Sequence, residues 1–244
     1  MRVKLIIEYD GTNYAGWQSQ NNAVGVQQKI EAAFFRLTGR QTAVTGAGRT
    51  DSGVHALGQC AHADVETTIP AEKLCYALNA ILPDDIRIRE STEVSEDFHA
   101  RRSAKGKHYR YTIFNAPQAC AIERDYRAHI RYPLDVEKMR EAAGYIKGEH
   151  DFKCFQAAGS TPVKTTVRTI TALEIKKQGD VITIDVFGTG FLYNMVRIIA
   201  GTLIEVGSGK KSPGSLEEII NSKNRDNAGP TAPAKGLTLV KVFY

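Results

Sequence analysis

The sequence predicts an α+β fold made of two similar halves. Three observations carry that expectation. Runs with apolar residues at every second position, as in strands, alternate with runs whose apolar residues fall three and four apart, as in helices. The strands of each half arrive partly as hairpins, most clearly residues 167–175 and 181–187 around Lys176-Lys177-Gln178-Gly179-Asp180, and this favours antiparallel sheet. The 244 residues suffice for one large domain or for two of about 100–120 residues. The expected division is 1–114 and 115–244, with the boundary in the gap over residues 115–133.

Each element has its own signal. Val3, Leu5, Ile7 and Tyr9 alternate with Lys4, Ile6 and Glu8, so residues 3–9 read as a strand that Asp10-Gly11-Thr12-Asn13 breaks. Val26, Ile30, Ala33, Phe34 and Leu37 share a helical face, and Gly39 ends that run. Residues 59–65 read as a strand. Pro70, suited to a helix start, leads Leu74, Ala77, Leu78 and Ile81. Ile86 and Ile88, extending towards Val94, mark another strand. Over residues 107–114, Tyr109, Tyr111 and Ile113 face one way, and His108, Arg110 and Thr112 the other. Asp135 is placed to cap a helix carrying Val136, Met139, Ala142, Ala143 and Ile146, which Gly148 stops. After the hairpin come a long helix over 191–206, a shorter one over 215–222 and a last strand over 237–243.

Composition narrows the function classes. With 42% hydrophobic and 24% charged residues the chain is an ordinary globular one. It has no apolar run of about 18 residues, as a membrane span requires, and its start turns acidic too early for a secretory signal. A cytoplasmic protein is expected. Cys60, Cys75, Cys120 and Cys154 are scattered with no C-x-x-C pair, so buried, reduced thiols are expected rather than disulfides or a zinc site. The net charge of +5 suits a polyanionic partner without requiring one. Its distribution says more. Arg101, Arg102, Lys105, Lys107 and Arg110 fall in one stretch with Tyr109 and Tyr111 and no acid, either a solvated basic face or a polyanion-binding one.

The most informative segment is Gly46-Ala47-Gly48-Arg49-Thr50-Asp51-Ser52-Gly53-Val54-His55-Ala56. It sets one carboxylate, Asp51, between glycines that permit sharp turns and close approach, just after a cation. Asp-Ser-Gly is also ordinary turn chemistry, and by itself an Asx-turn explains it. A second segment asks for a carboxylate. Arg197 stands in the middle of the almost wholly apolar 191–206 helix, where an unpaired guanidinium would cost several kcal/mol. It either snorkels to water or meets an acid, and Asp51 is the candidate. Tyr193, Arg197 and Gly201 are expected on one face, with Gly201 letting another segment approach closely.

Together these segments resemble the TruA-type tRNA pseudouridine synthases. Tyr9-Asp10-Gly11-Thr12-Asn13-Tyr14-Ala15-Gly16-Trp17-Gln18-Ser19-Gln20 resembles the family's opening motif, and the Asp51 segment its catalytic loop. Phe98-His99-Ala100-Arg101, Lys107-His108-Tyr109-Arg110-Tyr111, His150-Asp151-Phe152, the stretch 190–197 and Thr231-Ala232-Pro233-Ala234-Lys235-Gly236-Leu237 match later blocks, in order. The resemblance implies two similar α+β halves sharing a continuous, mainly antiparallel sheet, with helices packed on one face. It implies a homodimer that isomerises uridine to pseudouridine in the anticodon arm of tRNA, at positions 38, 39 and 40, with no metal and no organic cofactor. Asp51 falls on the nucleophile, Arg197 on the arginine paired with it, and Tyr109 on the tyrosine that stacks on the target base. Arg49 falls on an arginine that takes the space of an extruded base. Arg101, Lys107 and Arg110 are expected to follow RNA phosphates. Tyr14 and Trp17 lie either on a mobile loop near the RNA or in an anchor that holds the loop down.

Other chemistries fit poorly. Gly207-Ser208-Gly209-Lys210-Lys211-Ser212 lacks the first glycine of a P-loop, because Ile204 stands there, and Lys211 occupies the Ser/Thr place. No nucleophile elbow of a Ser-His-Asp hydrolase occurs. The alternative from another class is a non-catalytic tRNA-binding or chaperone protein on the same scaffold.

Overall fold

The structure, a computed structural model, describes residues 1–18, 23–159 and 162–244. The chain forms two compact units, one of Met1–Lys105 with Thr238–Tyr244, the other of Gly106–Leu237. The fold is α+β, and its strand pairs are mainly antiparallel.

In the first unit β1 (Arg2–Tyr9) buries Val3, Leu5, Ile7 and Tyr9 on one face, as their spacing requires. Helix α1 (Val26–Thr38) follows and ends at Gly39, whose φ of 70° lets its N–H reach the Phe35 carbonyl at 2.8 Å. The short β2 (Val44–Gly46) leads through the Asp51 loop into β3 (His55–Asp64). After α2 (Ala71–Asn79), β4 (Ile86–Val94) completes the first pass. β1 lies between β3 and β4, antiparallel to both, and β2 pairs antiparallel with β3. Helix α2 packs along β4 and is tied to it: Asn79 bonds both the carbonyl and the N–H of Ile88, at 2.9 and 2.8 Å.

In the second unit β5 (Gly106–Asn115) carries β6 (Ala128–Ile130) in parallel. Helix α3 (Val136–Ile146) is capped by Asp135, which accepts from the Lys138 N–H at 3.1 Å. β7 (Gly148–Asp151), β8 (Val167–Gln178) and β9 (Val181–Gly188) follow, giving the antiparallel order β5-β9-β8-β7. Two helices, α4 (Met195–Gly207) and α5 (Ser215–Ser222), precede β10 (Leu237–Phe243), which pairs in parallel with β3.

Three expectations change. β5 belongs with β9, its partner from Lys107↔Gly188 to Phe114↔Val181, and β10 belongs with β3, so the units do not divide at 114/115. The expected 191–206 helix starts at Met195, because Asn194 takes the left-handed conformation (φ 60°), which Asn tolerates better than most residues. Tyr193 therefore precedes the helix and is exposed. The three-residue β2 and β6 and the four-residue β7 are too short to leave a periodic signal.

The expected close approach at Gly201 is present. Residues 228–236 run over α4 as a strap. The Gly229 N–H donates to Thr202 Oγ1 at 2.8 Å and the Ala232 N–H to the Arg197 carbonyl at 3.1 Å. From the other side, the Tyr111 hydroxyl donates to the Pro233 carbonyl at 2.9 Å, and Gly236 lies against the Tyr111 ring. A Cβ at position 201 would stand 1.8 Å from the Pro230 oxygen. Replacing a helical glycine by alanine normally gains about 1 kcal/mol, but forcing backbone apart costs about 1–3 kcal/mol or more. Gly201→Ala is thus expected to destabilise the protein, read as a lower urea midpoint with an unchanged slope.

Candidate active site

The Asp51 loop is held by its backbone. Entering it, the Ala47 N–H donates to the Cys60 carbonyl at 2.7 Å, and the wholly buried Gln59 donates Nε2 to the Gly48 carbonyl at 2.9 Å. At Thr50, the hydroxyl lies 2.7 Å from the Tyr9 hydroxyl, and the carbonyl accepts from the Trp17 N–H at 3.1 Å. Beyond Asp51, Ser52 Oγ and the Gly53 N–H both donate to the Tyr14 carbonyl, at 3.2 and 3.3 Å. Asp51 is bracketed on both sides by one segment, residues 14–17, and its own carbonyl accepts from the Val54 N–H at 3.1 Å. Its residue is half-buried.

Glycine is required at two of these contacts. Gly16 has φ +89° and lies so close to Thr50 that a Cβ would stand 2.3 Å from the Thr50 oxygen. At Gly46 a Cβ would stand 2.5 Å from the Trp17 indole nitrogen. Trp17 and Tyr14 are both buried, and the Tyr14 hydroxyl donates to Asp85 Oδ1 at 2.6 Å, so these aromatics form an anchor. Burial pushes the Tyr9 and Tyr14 phenols far above their ordinary range, which keeps both protonated as hydrogen-bonding struts. On the same unit Arg49 is exposed beside Asp51, and Arg101 is exposed on the turn before β5.

The second unit carries the remaining expected residues. On β5, Tyr109 is buried, with its ring edge-on to Phe191 at 5.1 Å. The opposite face of the strand is less free than its charge pattern suggests. Arg110 Nε donates to the buried Asp185 at 2.9 Å, and His108 Nε2 shares that same oxygen at 2.5 Å while stacking on Phe187. Lys107 is half-buried. On α4, Arg197 is also half-buried. Its Nε donates to the Ala232 carbonyl and its Nη1 to Asn194 Oδ1, each at 2.8 Å, so the guanidinium is aimed rather than left to wander.

Sequence reasoning missed the supports: Gln59 beneath Gly48, Thr50 on Tyr9, and Asn194 and Ala232 on Arg197. The signal available was the glycine at position 16, which only a close or left-handed backbone demands. Cys60, Cys75 and Cys154 are buried and Cys120 is half-buried, and all four are free. Burial pushes the Cys60 thiol up to about 11 and that of Cys154 up to about 12, so neither is a ready thiolate. Among the described residues, no group of three or more His, Cys, Asp or Glu side chains converges as metal ligands do.

Comparison with known proteins places this arrangement. A family model described as tRNA pseudouridine synthase matches residues 5–101 and 142–244. The tRNA pseudouridine synthase A of Ruminiclostridium cellulolyticum is 54% identical over 244 residues, covering 100% of this chain and 99% of the relative. That of Brevibacillus brevis is 49% identical over 243 residues, with the same coverage. A solved structure titled "Crystal structure of the archaeal box H/ACA sRNP Nop10-Cbf5 complex" aligns with a TM-score of 0.38 at 12% identity, covering 93% of this chain and 60% of that one. The chain belongs to the tRNA pseudouridine synthase family.

The loop geometry makes a prediction of its own. Gly16→Ala adds a left-handed penalty of about 1–2 kcal/mol to a clash with the Thr50 backbone. It is expected to release the bracket around Asp51, seen as faster amide hydrogen exchange at Trp17 and Gly53, with exchange in α2 unchanged.

Proposed function

We propose that this chain converts uridine to pseudouridine in the anticodon arm of tRNA, at positions 38, 39 and 40, acting in the cytoplasm as a homodimer without metal or organic cofactor. One observation carries the reading: Asp51 sits in a loop whose backbone is bracketed on both sides, within the segment that resembles the family's catalytic loop. The names borne by relatives about half identical over their whole length support the substrate.

The reaction breaks the C–N glycosidic bond, lets the uracil turn, forms a C–C bond from C5 to the same ribose carbon and removes the proton from C5, while N1, which gave up the glycosidic bond, ends protonated. Asp51 supplies the electron pair that starts it, which requires an ionised carboxylate. The resemblance gives the part of its partner cation to Arg197, whose own fork is oriented by Ala232 and Asn194. The target base must first leave its stack, at a cost of a few kcal/mol. Tyr109 recovers part of this, since stacking on an aromatic ring is worth about 1–3 kcal/mol. Arg49 fills the space that the base vacates. Arg101, Lys107 and the outer edge of Arg110 follow phosphates, which gives salt-dependent affinity with little base information.

Two outcomes are expected. Asp51→Asn, assayed by chemical labelling of pseudouridine in unmodified tRNA, loses at least about a thousandfold in turnover, while tRNA binding stays within a few-fold of wild type. Tyr109→Leu lowers kcat more than Tyr111→Leu does, whereas Tyr111→Leu lowers Tm more, because Tyr111 is wholly buried and bonded to Pro233. Binding without product by the unaltered chain overturns the catalytic reading.

A further inference from the structure

The basic stretch before β5 begins in a turn that is built with more care than a solvated face needs. Residues 98–100 are fastened to the rest of the first unit through three backbone groups. The His62 Nδ1 atom, on β3, accepts the Ala100 N–H at 3.2 Å. The Ala100 carbonyl accepts the Tyr244 hydroxyl at 2.7 Å, and the Phe98 ring packs 5.0 Å from the Tyr244 ring. The Phe98 carbonyl accepts Arg2 Nη1 at 3.2 Å, and Arg2 is itself fixed by a two-pronged pair with Asp64 at 2.7 and 2.8 Å. Further on, the Lys105 N–H donates to the Phe243 carbonyl at 2.8 Å.

Within the turn one side chain organises the rest. His99 Nδ1 accepts the N–H groups of both Arg101 and Arg102, at 3.2 and 3.3 Å. The backbone of His99 closes a ring with Ser103, N–H to Oγ at 3.1 Å and carbonyl to N–H at 2.9 Å. The two imidazoles, His62 and His99, lie 4.8 Å apart. All this order supports three side chains that face water: Arg101, Arg102 and Lys105 are exposed, whereas the braces beneath them, His62 and Ala100, are buried. Glu96 and Asp97 precede the turn, so the positive charge is confined to its far side.

We infer that His99 and Tyr244 are positioning residues for a phosphate-binding turn, in which Arg101 and Arg102 meet the RNA backbone from a conformation fixed before the RNA arrives. The inference rests on the tRNA reading above and deepens it. A flexible basic segment would contact the same phosphates, but it would lose conformational freedom on binding, about 1–2 kcal/mol for each backbone residue ordered. The braces remove that loss in advance. They touch no phosphate themselves, so their removal weakens binding without changing how many counterions the RNA releases.

This distinction gives the test. Steady-state kinetics with unmodified tRNA, and tRNA binding across a salt series, are measured for Tyr244→Phe, His99→Leu, His99→Asn and the pair Arg101→Ala with Arg102→Ala. Tyr244→Phe and His99→Leu are expected to raise KM about five- to tenfold, the equivalent of one hydrogen bond, with kcat unchanged and the salt slope unchanged. Asn presents an oxygen where His presents Nδ1, so His99→Asn is expected to restore the wild-type KM. The arginine pair is expected to flatten the slope by about 1.4–1.8, as the loss of two phosphate contacts does. A wild-type KM in both Tyr244→Phe and His99→Leu overturns the inference, as does a fall in kcat at constant KM or an unchanged slope in the arginine pair. If the unaltered chain modifies tRNA and these outcomes fail, the positioning role alone falls. If the unaltered chain neither binds nor modifies tRNA, the functional reading falls and takes this inference with it.

Discussion

The rest of the first unit answers to one constraint: the backbone on either side of Asp51 is closed by a segment some thirty-five residues earlier in the chain. Trp17 takes the Thr50 carbonyl, and Tyr14 receives Ser52 and Gly53. The role proposed for Asp51 requires its carboxylate to stand within about 0.5 Å of its working position, and a loop left to itself does not achieve that. Here the positioning is delegated to groups that do no chemistry. Gly16 and Gly46 are empty because the Thr50 backbone and the Trp17 indole fill the places where their side chains would be. Tyr9 and Gln59, fully enclosed, supply the polar partners that the loop's own backbone and Thr50 would otherwise lack.

The second unit solves a related difficulty with opposite materials. A guanidinium near the start of an apolar helix is expensive unless each nitrogen has an acceptor. Arg197 finds two of them locally, in the strap and in the residue just before the helix. The strap in turn is held by Tyr111 from the neighbouring strand and by the thin place that Gly201 leaves on α4. A side chain three residues into a helix is thus aimed by a segment more than thirty residues downstream. Every member of that chain of contacts is ordinary taken singly.

Regular structure was legible in the sequence where a face is buried. The alternation of Val3, Leu5, Ile7 and Tyr9, the Gly39 stop and the Asp135 cap each reappear as drawn. So does the thinness at Gly201. The misses share a cause. Phe191 and Leu192 continue the apolar pattern of α4 without being helical, and periodicity does not register that Asn194 has turned left-handed. Strands of three or four residues are shorter than the period needed to recognise them. Among site residues, Asp51 stood out by its setting, but Arg110 looked like a free base, and only the fold reveals the buried Asp185 that occupies its Nε. Contacts between residues far apart in sequence leave no local pattern, so the supports of the site were the least readable part of it.

The return of β10 to β3 has a consequence for how the protein is made. Many domains complete themselves as they leave the ribosome, the earlier part first. Here the earlier unit cannot: the neighbour that pairs with the first residues of β3, the strand leaving the Asp51 loop, is encoded after all of Gly106–Leu237. For the several seconds that translation of that stretch takes, at about 5–20 residues per second, the start of β3, at His55 and Ala56, presents an uncovered edge, the kind that recruits stray strands, whereas β2 already covers Ala61–Ala63. The nascent chain therefore leaves the start of β3, next to the Asp51 loop, open until β10 emerges, and a truncated product lacking β10 keeps that edge exposed and is an aggregation hazard.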